Sequence, residues 1–402
     1  MRILVQKFGG TSLSTDHARQ HAIYHIRKAL EDGFRLVIVV SAMGRKGEPY
    51  ATDTLLELIR RNGNALPDRE KDMLLGCGEI ISVATLCSLL QAEGMDCVGL
   101  TGAQAGILTN DAFSKAQILS IDPSRILHYL HQDKIVVVAG FQGRTADGDW
   151  TTLGRGGSDT SATALGAAMK VELVDIFTDV DGILTADPRI VEDARQLEHV
   201  SYGEVCNMAN QGAKVIHPRA VEIAMDAGIP VRVRSTFSDG DGTLVTRQEQ
   251  ENRQVKDRFV TGIAHVPDVT QIEVLASEGH MDLQLNVFTI MAKNQISVDF
   301  INVNPSGVAY TVFNSEAERA VGLLREAGFE PRYVPDCAKV SVIGGGMNGV
   351  PGIMARIVEA LTEEDIQILQ SADSNATIWV LVHGCNMAKA VRALHKKFRL
   401  HE

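Results

Sequence analysis

Two runs in this chain, 36–40 (Leu-Val-Ile-Val-Val) and 135–139 (Ile-Val-Val-Val-Ala), contain only apolar and mostly β-branched side chains. A strand of that kind needs cover on both faces, as in a parallel sheet flanked by helices. The intervals carry helical periodicity. Residues 17–30 place Ala18, Ala22, Ile23, Ile26 and Leu30 on one face, and 70–90 is longer and mostly apolar. Further helices are expected at 158–169, 202–208 and 218–227, and further strands at 3–6 and 173–177. Alternation of strand and helix with right-handed crossovers predicts an α/β domain over 1–246.

Residues 247–258 are polar and charged without periodicity and read as a linker. Beyond them the order changes to βαββαβ: strand 271–276, helix 280–293, strands 297–303 and 309–313, helix 315–327, strand 331–334. It then recurs as strand 339–343, helix 352–361, strands 367–371 and 377–382, and helix 387–398. Ile296 corresponds to Ile366 and Val312 to Val382, both at an offset of 70 residues. Such a repeat means two copies of one small domain. The second copy ends before its last strand, and a spare strand, 259–265, precedes the first. The expected arrangement has the first copy (266–337) inserted in the second (338–402 plus 259–265).

Several classes of function are disfavoured. Net charge is −11 with no basic tract, which argues against a nucleic-acid partner. No apolar run is read as approaching membrane-spanning length, and the chain opens into a strand without a signal-peptide pattern. The six cysteines are scattered without a C-x-x-C pair, which fits a reducing cytoplasm and not a zinc site or disulfide framework.

The turn Lys7-Phe8-Gly9-Gly10-Thr11-Ser12, between a strand and a helix, has the makings of an anion cradle. Glycine lets backbone N–H groups approach an anion, a helix N-terminus adds partial positive charge, and lysine adds a full one. It is not a Walker A loop, whose lysine follows the last glycine. Alone, it fits a plain β-to-α turn at least as well. A second cradle is Leu153-Gly154-Arg155-Gly156-Gly157-Ser158-Asp159, with Ser158 as expected N-cap and an arginine fork suited to a carboxylate or phosphate. Asp159 either complements the helix dipole or positions lysines around a transferring phosphoryl group. Glu79 is a lone carboxylate in an apolar helix, either at a solvent edge or paired with a cation such as a ligand ammonium. Ser41, and Thr178-Asp179-Val180-Asp181-Gly182 followed by Thr185-Ala186-Asp187-Pro188-Arg189, lie at or beyond strand carboxyl ends, where open α/β sheets bind ligands. Lys214 is a second candidate phosphate lysine, and His217 reads as structural. Residues 344–349 fit G-x-G-x-x-G, but too little chain follows for a dinucleotide domain, so they read as a tight turn.

In this order the segments 7–12, 153–159, 177–182 and 212–218 resemble those of the aspartokinases, and the likeness covers essentially the whole chain, including paired C-terminal ACT domains. Residues 41–47, 49–53 and 368–374 look most like the diaminopimelate-sensitive subtype. The resemblance implies an amino-acid-kinase fold (a three-layer α/β/α sheet) followed by two ferredoxin-like ACT domains. It implies transfer of the γ-phosphoryl of ATP to L-aspartate, with Mg2+ and no assigned protein metal ligand. Carried over, Lys7 stabilises the phosphoryl group, Phe8, Gly9 and Gly10 line it, and Asp159 organises the lysines. Ser41, Thr52, Gly156, Gly157 and Ser158 line the substrate site, Glu79 holds the aspartate ammonium and Arg155 its α-carboxylate. Thr178, Asp179, Leu184, Thr185, Ala186, Asp187, Pro188, Arg189, Lys214 and Val215 hold the nucleotide. An amino-acid effector is expected between ACT domains, with Asp299 and Asn302 as candidates, in a homo-oligomer. Two positions depart from the family pattern. Ile80 stands where many relatives have arginine, and the first repeat has Glu278-Gly279-His280-Met281 where Pro-Gly is usual. Other amino-acid kinases, acting on glutamate, N-acetylglutamate or a carbamate, and a ligand sensor with an inactive kinase domain are the alternatives. Glu79 with Arg155 favours aspartate over the first, and Lys7, Asp159 and Lys214 speak against the second.

Overall fold

The structure, a computed structural model, describes residues 1–60, 66–213, 215–247, 259–276, 282–345, 347 and 350–402. They divide into two compact units. The first comprises described residues 1–183, 196–209 and 215–247, and the second 184–195, 210–213 and the rest from 259 onward. Most of the expected linker 247–258 lies outside the described residues.

The first unit is built on an eight-stranded sheet. Its order is His199–Ser201, Thr243–Thr246, Val231–Ser235, Leu173–Thr178, Ile3–Phe8, Arg35–Val40, Ile135–Ala139, Cys97–Leu100. All neighbours are parallel except Val231–Ser235 with Thr243–Thr246. The two wholly apolar runs lie side by side inside the sheet, with Val37 to Val40 and Val136 to Val138 fully buried. The helices of this unit are α1 (Asp16–Glu31), α2 (Thr52–Arg60), α3 (Asp68–Leu75), α4 (Cys77–Ala92), α5 (Ser124–Leu130), α6 (Gly157–Met169), α7 (Tyr202–Asn210) and α8 (Pro218–Ala227). The helix expected at 70–90 is two helices that meet at Gly76. A Cβ there would lie 3.2 Å from the Trp150 ring. Together Asp68–Ala92 is apolar and long enough to cross a membrane by length and composition, contrary to the reading of the sequence. In the fold it is a core element: Val83, Leu86 and Leu90 share one cluster with Val40, Val137 and Phe177. Each such buried side chain stabilises by about 1.5–3 kcal/mol. A smaller sheet, Ile118–Ile121, Ile107–Thr109, Gln142–Arg144, Trp150–Thr152, was not foreseen from the sequence.

The second unit has one six-stranded sheet in the order Asp299–Asn304, Gly307–Phe313, Gly262–Leu275, Arg332–Ile343, Thr377–His383, Gln370–Asp373. Its helices are α9 (Leu283–Lys293), α10 (Asn314–Glu326), α11 (Ile353–Thr362) and α12 (Met387–Lys397). The segments read as separate strands at 259–265 and 271–276 are one strand, bent at Asp268 where φ is +59°. Gly262 to Val266 pairs with Lys339 to Ile343 of the second repeat, and Val269 to Leu275 with the first repeat's Gly307–Phe313. Each repeat has its own core, around Val287, Tyr310 and Leu324 in the first and Val340, Ile357 and Leu394 in the second. The second core also takes Ala186 and Val191. Ile263 N–H donates to the carbonyl of Thr185 (2.8 Å), and the Thr185 hydroxyl meets His395 Nε2 at 2.9 Å. Segment 184–195 is therefore built into the C-terminal unit. The first repeat's strand-to-helix turn, 277–281, lies outside the described residues, as do 346, 348 and 349 of the glycine-rich turn. Gly344 faces Phe259, whose carbonyl oxygen a Cβ would meet at 1.8 Å, so it serves a tight backbone crossing.

Candidate active site

Lys7 and Phe8 end the central strand, and the chain leaves the sheet at Gly9 and Gly10. Lys7 Nζ lies 2.7 Å from Asp159 Oδ1, and both side chains are about one-eighth exposed (12% and 13%). A Cβ on Gly9 would sit 3.6 Å from Lys7 Nζ, an ordinary contact. One on Gly10 would lie 2.6 Å from the carbonyl of Ala42, so the loop after Val40 can pass only over a glycine. Gly44 N–H donates to Gly10 O (3.0 Å) and Ser41 N–H to Phe8 O (3.1 Å), which holds that loop beside the turn. Gly9 N–H is directed to Phe177 O at 3.4 Å, within the sheet. The N-terminus of α1 does not complete this cradle. The helix starts only at Asp16 and is capped by the Thr15 side chain, which accepts from Ala18 N–H at 3.1 Å.

The second turn does open onto a helix. Its N-cap is Gly156, in the left-handed region (φ +67°), not Ser158, which lies buried inside α6. A Cβ on Gly156 would fall 2.1 Å from the His217 ring. Gly157 N–H donates to Gly154 O (3.0 Å), and among the described residues no side chain caps the N–H groups of Ser158 and Asp159, which stay available to a ligand. His217 Nδ1 accepts from Arg219 N–H (3.3 Å) and so caps α8, a structural role. Arg155 is exposed, and no described residue pairs with its guanidinium.

Glu79 lies in the first turn of α4 and is 2% exposed, which excludes the solvent-edge reading. Its Oε1 accepts from Ala42 N–H at 3.1 Å, and its buried Oε2 has no partner among the described residues. Gly78 permits this approach, since a Cβ there would meet the Ala42 methyl at 2.8 Å. Burial pushes the Glu79 carboxyl up to about 8. A carboxyl left this way waits for a cation.

Thr178 ends its strand, and Asp179 is ion-paired with Arg45. Thr52 opens α2. Leu184, Thr185, Ala186, Asp187, Pro188 and Arg189 belong to the C-terminal unit. There the Asp187 carboxylate is taken by Arg189 (2.7 Å), which holds it below the usual carboxylate range. Val215 is half-buried, and Lys214 lies outside the described residues. Asp299 is held by Lys339, and Asn302 is exposed on the edge strand. With Asp159 and Asp179 each engaged by a cation, the described carboxylates form no protein cage for Mg2+. They fit an ion that arrives on nucleotide phosphates and keeps most of its waters. Among the described residues the one group with metal-ligand spacing, Asp193, His395 and His401, is in the C-terminal unit. The glycine contacts with Ala42 and His217 were not legible beforehand, because they join segments far apart in the chain.

The Amino acid kinase family model matches residues 2–235 and an ACT domain model matches 332–396. Aspartokinase 1 of Bacillus subtilis is 54% identical over 402 residues, covering all of both chains. The aspartokinase of Geobacillus stearothermophilus is 40% identical over all of this chain and 98% of that one. Among solved structures, E. coli aspartokinase III in complex with aspartate and ADP superposes with a TM-score of 0.78 at 26% identity, covering 98% of this chain and 99% of that one.

Proposed function

Since the chain belongs to the aspartokinases, within the amino acid kinase family, we propose that its two glycine-rich turns divide the work of one phosphoryl transfer. The reaction moves the γ-phosphoryl of ATP to the side-chain carboxylate of L-aspartate. A carboxylate oxygen forms the new P–O bond, the bond to the β-phosphate oxygen breaks, and ADP leaves. The attacking carboxylate is already ionised near neutral pH, so no general base is required. Catalysis is then positioning and charge stabilisation.

Lys7 stabilises the transferring group, and Asp159 holds Lys7 in place. The contact that supports this is the 2.7 Å pair between the two turns. Gly10 and the loop carrying Ser41 close one side of the site, and Thr52 lies further along the same segment. Arg155 takes the α-carboxylate of aspartate, Gly156 and Gly157 shape the turn that lines the substrate, and Ser158 presents a helix N–H group beside it. Glu79 takes the ammonium, for which its buried oxygen, without a partner among the described residues, is suited. Thr178, Asp179, Val215 and Lys214 serve the nucleotide. Mg2+ enters with ATP and neutralises phosphate charge.

Regulation by an end-product amino acid, diaminopimelate by the subtype likeness, is assigned to the ACT repeats, with Asp299 and Asn302 as candidate contacts. A homo-oligomer is proposed through the same unit, whose edge strand Asp299–Asn304 exposes Ile301 and Val303. The six cysteines are free, in keeping with the cytoplasm. The test is aspartate-dependent ADP release with Arg155→Ala. The aspartate KM rises far more than the ATP KM; the opposite ranking gives Arg155 to the nucleotide.

A further inference from the structure

Asp72 is fully buried on α3 and has no part in the chemistry above. Its carboxylate is saturated by two residues. Oδ2 accepts the backbone N–H groups of Ser114 and Thr152, both at 2.8 Å. Oδ1 accepts the hydroxyls of the same residues, at 3.1 Å and 2.7 Å. Four donors converge on a carboxylate that pairs with no cation among the described residues, and both residues border the second glycine turn. Thr152 ends the strand from which Leu153-Gly154-Arg155-Gly156 departs. Ser114 stands at φ +66°, a conformation unfavourable for a side-chain-bearing residue. Its carbonyl lies 3.1 Å from where a Cβ of Gly154 (φ +75°) would be.

The surrounding backbone is equally committed. Thr152 O accepts from Ala116 N–H (2.9 Å), and Leu153 N–H donates to Phe141 O (2.8 Å). Leu153 O accepts from Arg219 Nη1 (3.0 Å), and Arg219 Nη2 reaches Ala116 O (3.1 Å). Arg155 is exposed and itself unpaired among the described residues, so its aim depends on this anchor.

We infer that Asp72 is a positioning residue for substrate binding: it locks Ser114 and Thr152 so that the 153–156 turn presents Arg155 to the amino-acid substrate. This rests on the reading of Arg155 as the α-carboxylate ligand. Asparagine can replace the carboxylate here. Its oxygen accepts the two backbone N–H groups, its NH2 donates to the two hydroxyl oxygens, and the hydroxyls turn from donors to acceptors. Alanine leaves all four donors unsatisfied.

The experiment measures aspartate and ATP KM for Asp72→Ala, Asp72→Asn and Arg155→Ala, with thermal melts. The expected result is an aspartate KM raised about tenfold or more in Asp72→Ala, an ATP KM within about threefold of the parent, and recovery in Asp72→Asn. A folded Asp72→Ala with an unchanged aspartate KM, or with both KM values raised in parallel, overturns the proposal. If Asp72→Ala does not fold, Thr152→Val, which removes one hydroxyl, is read instead, and an unchanged aspartate KM there is equally contrary. Arg155→Ala separates the two readings: should it leave the aspartate KM unchanged, the Arg155 assignment fails and not the anchoring alone.

Discussion

The two glycine-rich turns of the catalytic unit look alike in sequence and differ in construction. In the first, glycine serves other parts of the protein: Gly10 makes room for Ala42, and Gly9 N–H bonds within the sheet. The group proposed to meet the ligand is the lysine, already paired with Asp159. In the second, Gly156 adopts a left-handed conformation against His217 and starts a helix with no side-chain cap. The groups proposed to meet the ligand there are N–H dipoles and an arginine unpaired among the described residues. On the proposed assignment, one turn supplies a held charge for a group that changes during reaction. The other supplies an open recognition surface for a group that does not.

That contrast can be broken by substitution. Lys7→Ala is expected to lower kcat by about 10²–10³-fold, the usual cost of removing a charge-stabilising donor, with the protein still folded. Steady-state turnover at saturating substrates checks it, and near-normal turnover refutes the phosphoryl role. Gly156→Ala acts instead through the fold, since a methyl must displace His217 and hold a strained φ. It should destabilise by about 1–3 kcal/mol, read from denaturant midpoints. Gly9→Ala, with its nearest atoms at 3.6 Å, should stay within about 0.5 kcal/mol of the parent. Equal losses in the two glycine variants erase the distinction.

Glu79 adds a pH dependence. Its folded-state value of about 8 lies above the ordinary 4.5, so the free protein binds this proton more tightly than the unfolded chain does. The stabilisation is fully present below the unfolded value and is lost as pH rises through the folded one. On the proposed role of Glu79, ammonium binding requires the ionised form, so aspartate affinity should rise about tenfold per pH unit up to about 8 and then level. Glu79→Gln should flatten both slopes.

Much of the fold was legible because buried parallel strands are apolar throughout, as at 36–40 and 135–139, and because the 70-residue offset marks a repeat. The smaller sheet escaped, since its strands are short and include polar positions such as Gln142 and Thr152. The N-cap of α6 escaped because Ser158 is the better capping residue locally, whereas the contact between Gly156 and His217 decides the helix start. Segment 184–195 could not be placed from its residues, because its bonds go to Ile263 and His395. Lys7, Arg155 and Glu79 were visible as candidates, but only tertiary contacts show Glu79 Oε2 buried without a described partner.

The division of labour is tested most directly by comparing aspartate with two analogues, β-alanine, which lacks the α-carboxylate, and succinate, which lacks the amino group. The measurement is kcat/KM for all three in the parent and in Arg155→Ala. The account predicts that Arg155→Ala loses most of the preference for aspartate over β-alanine and keeps its preference over succinate, which Glu79 supplies. An unchanged preference over β-alanine would show that the second turn does not recognise the α-carboxylate and would contradict the account.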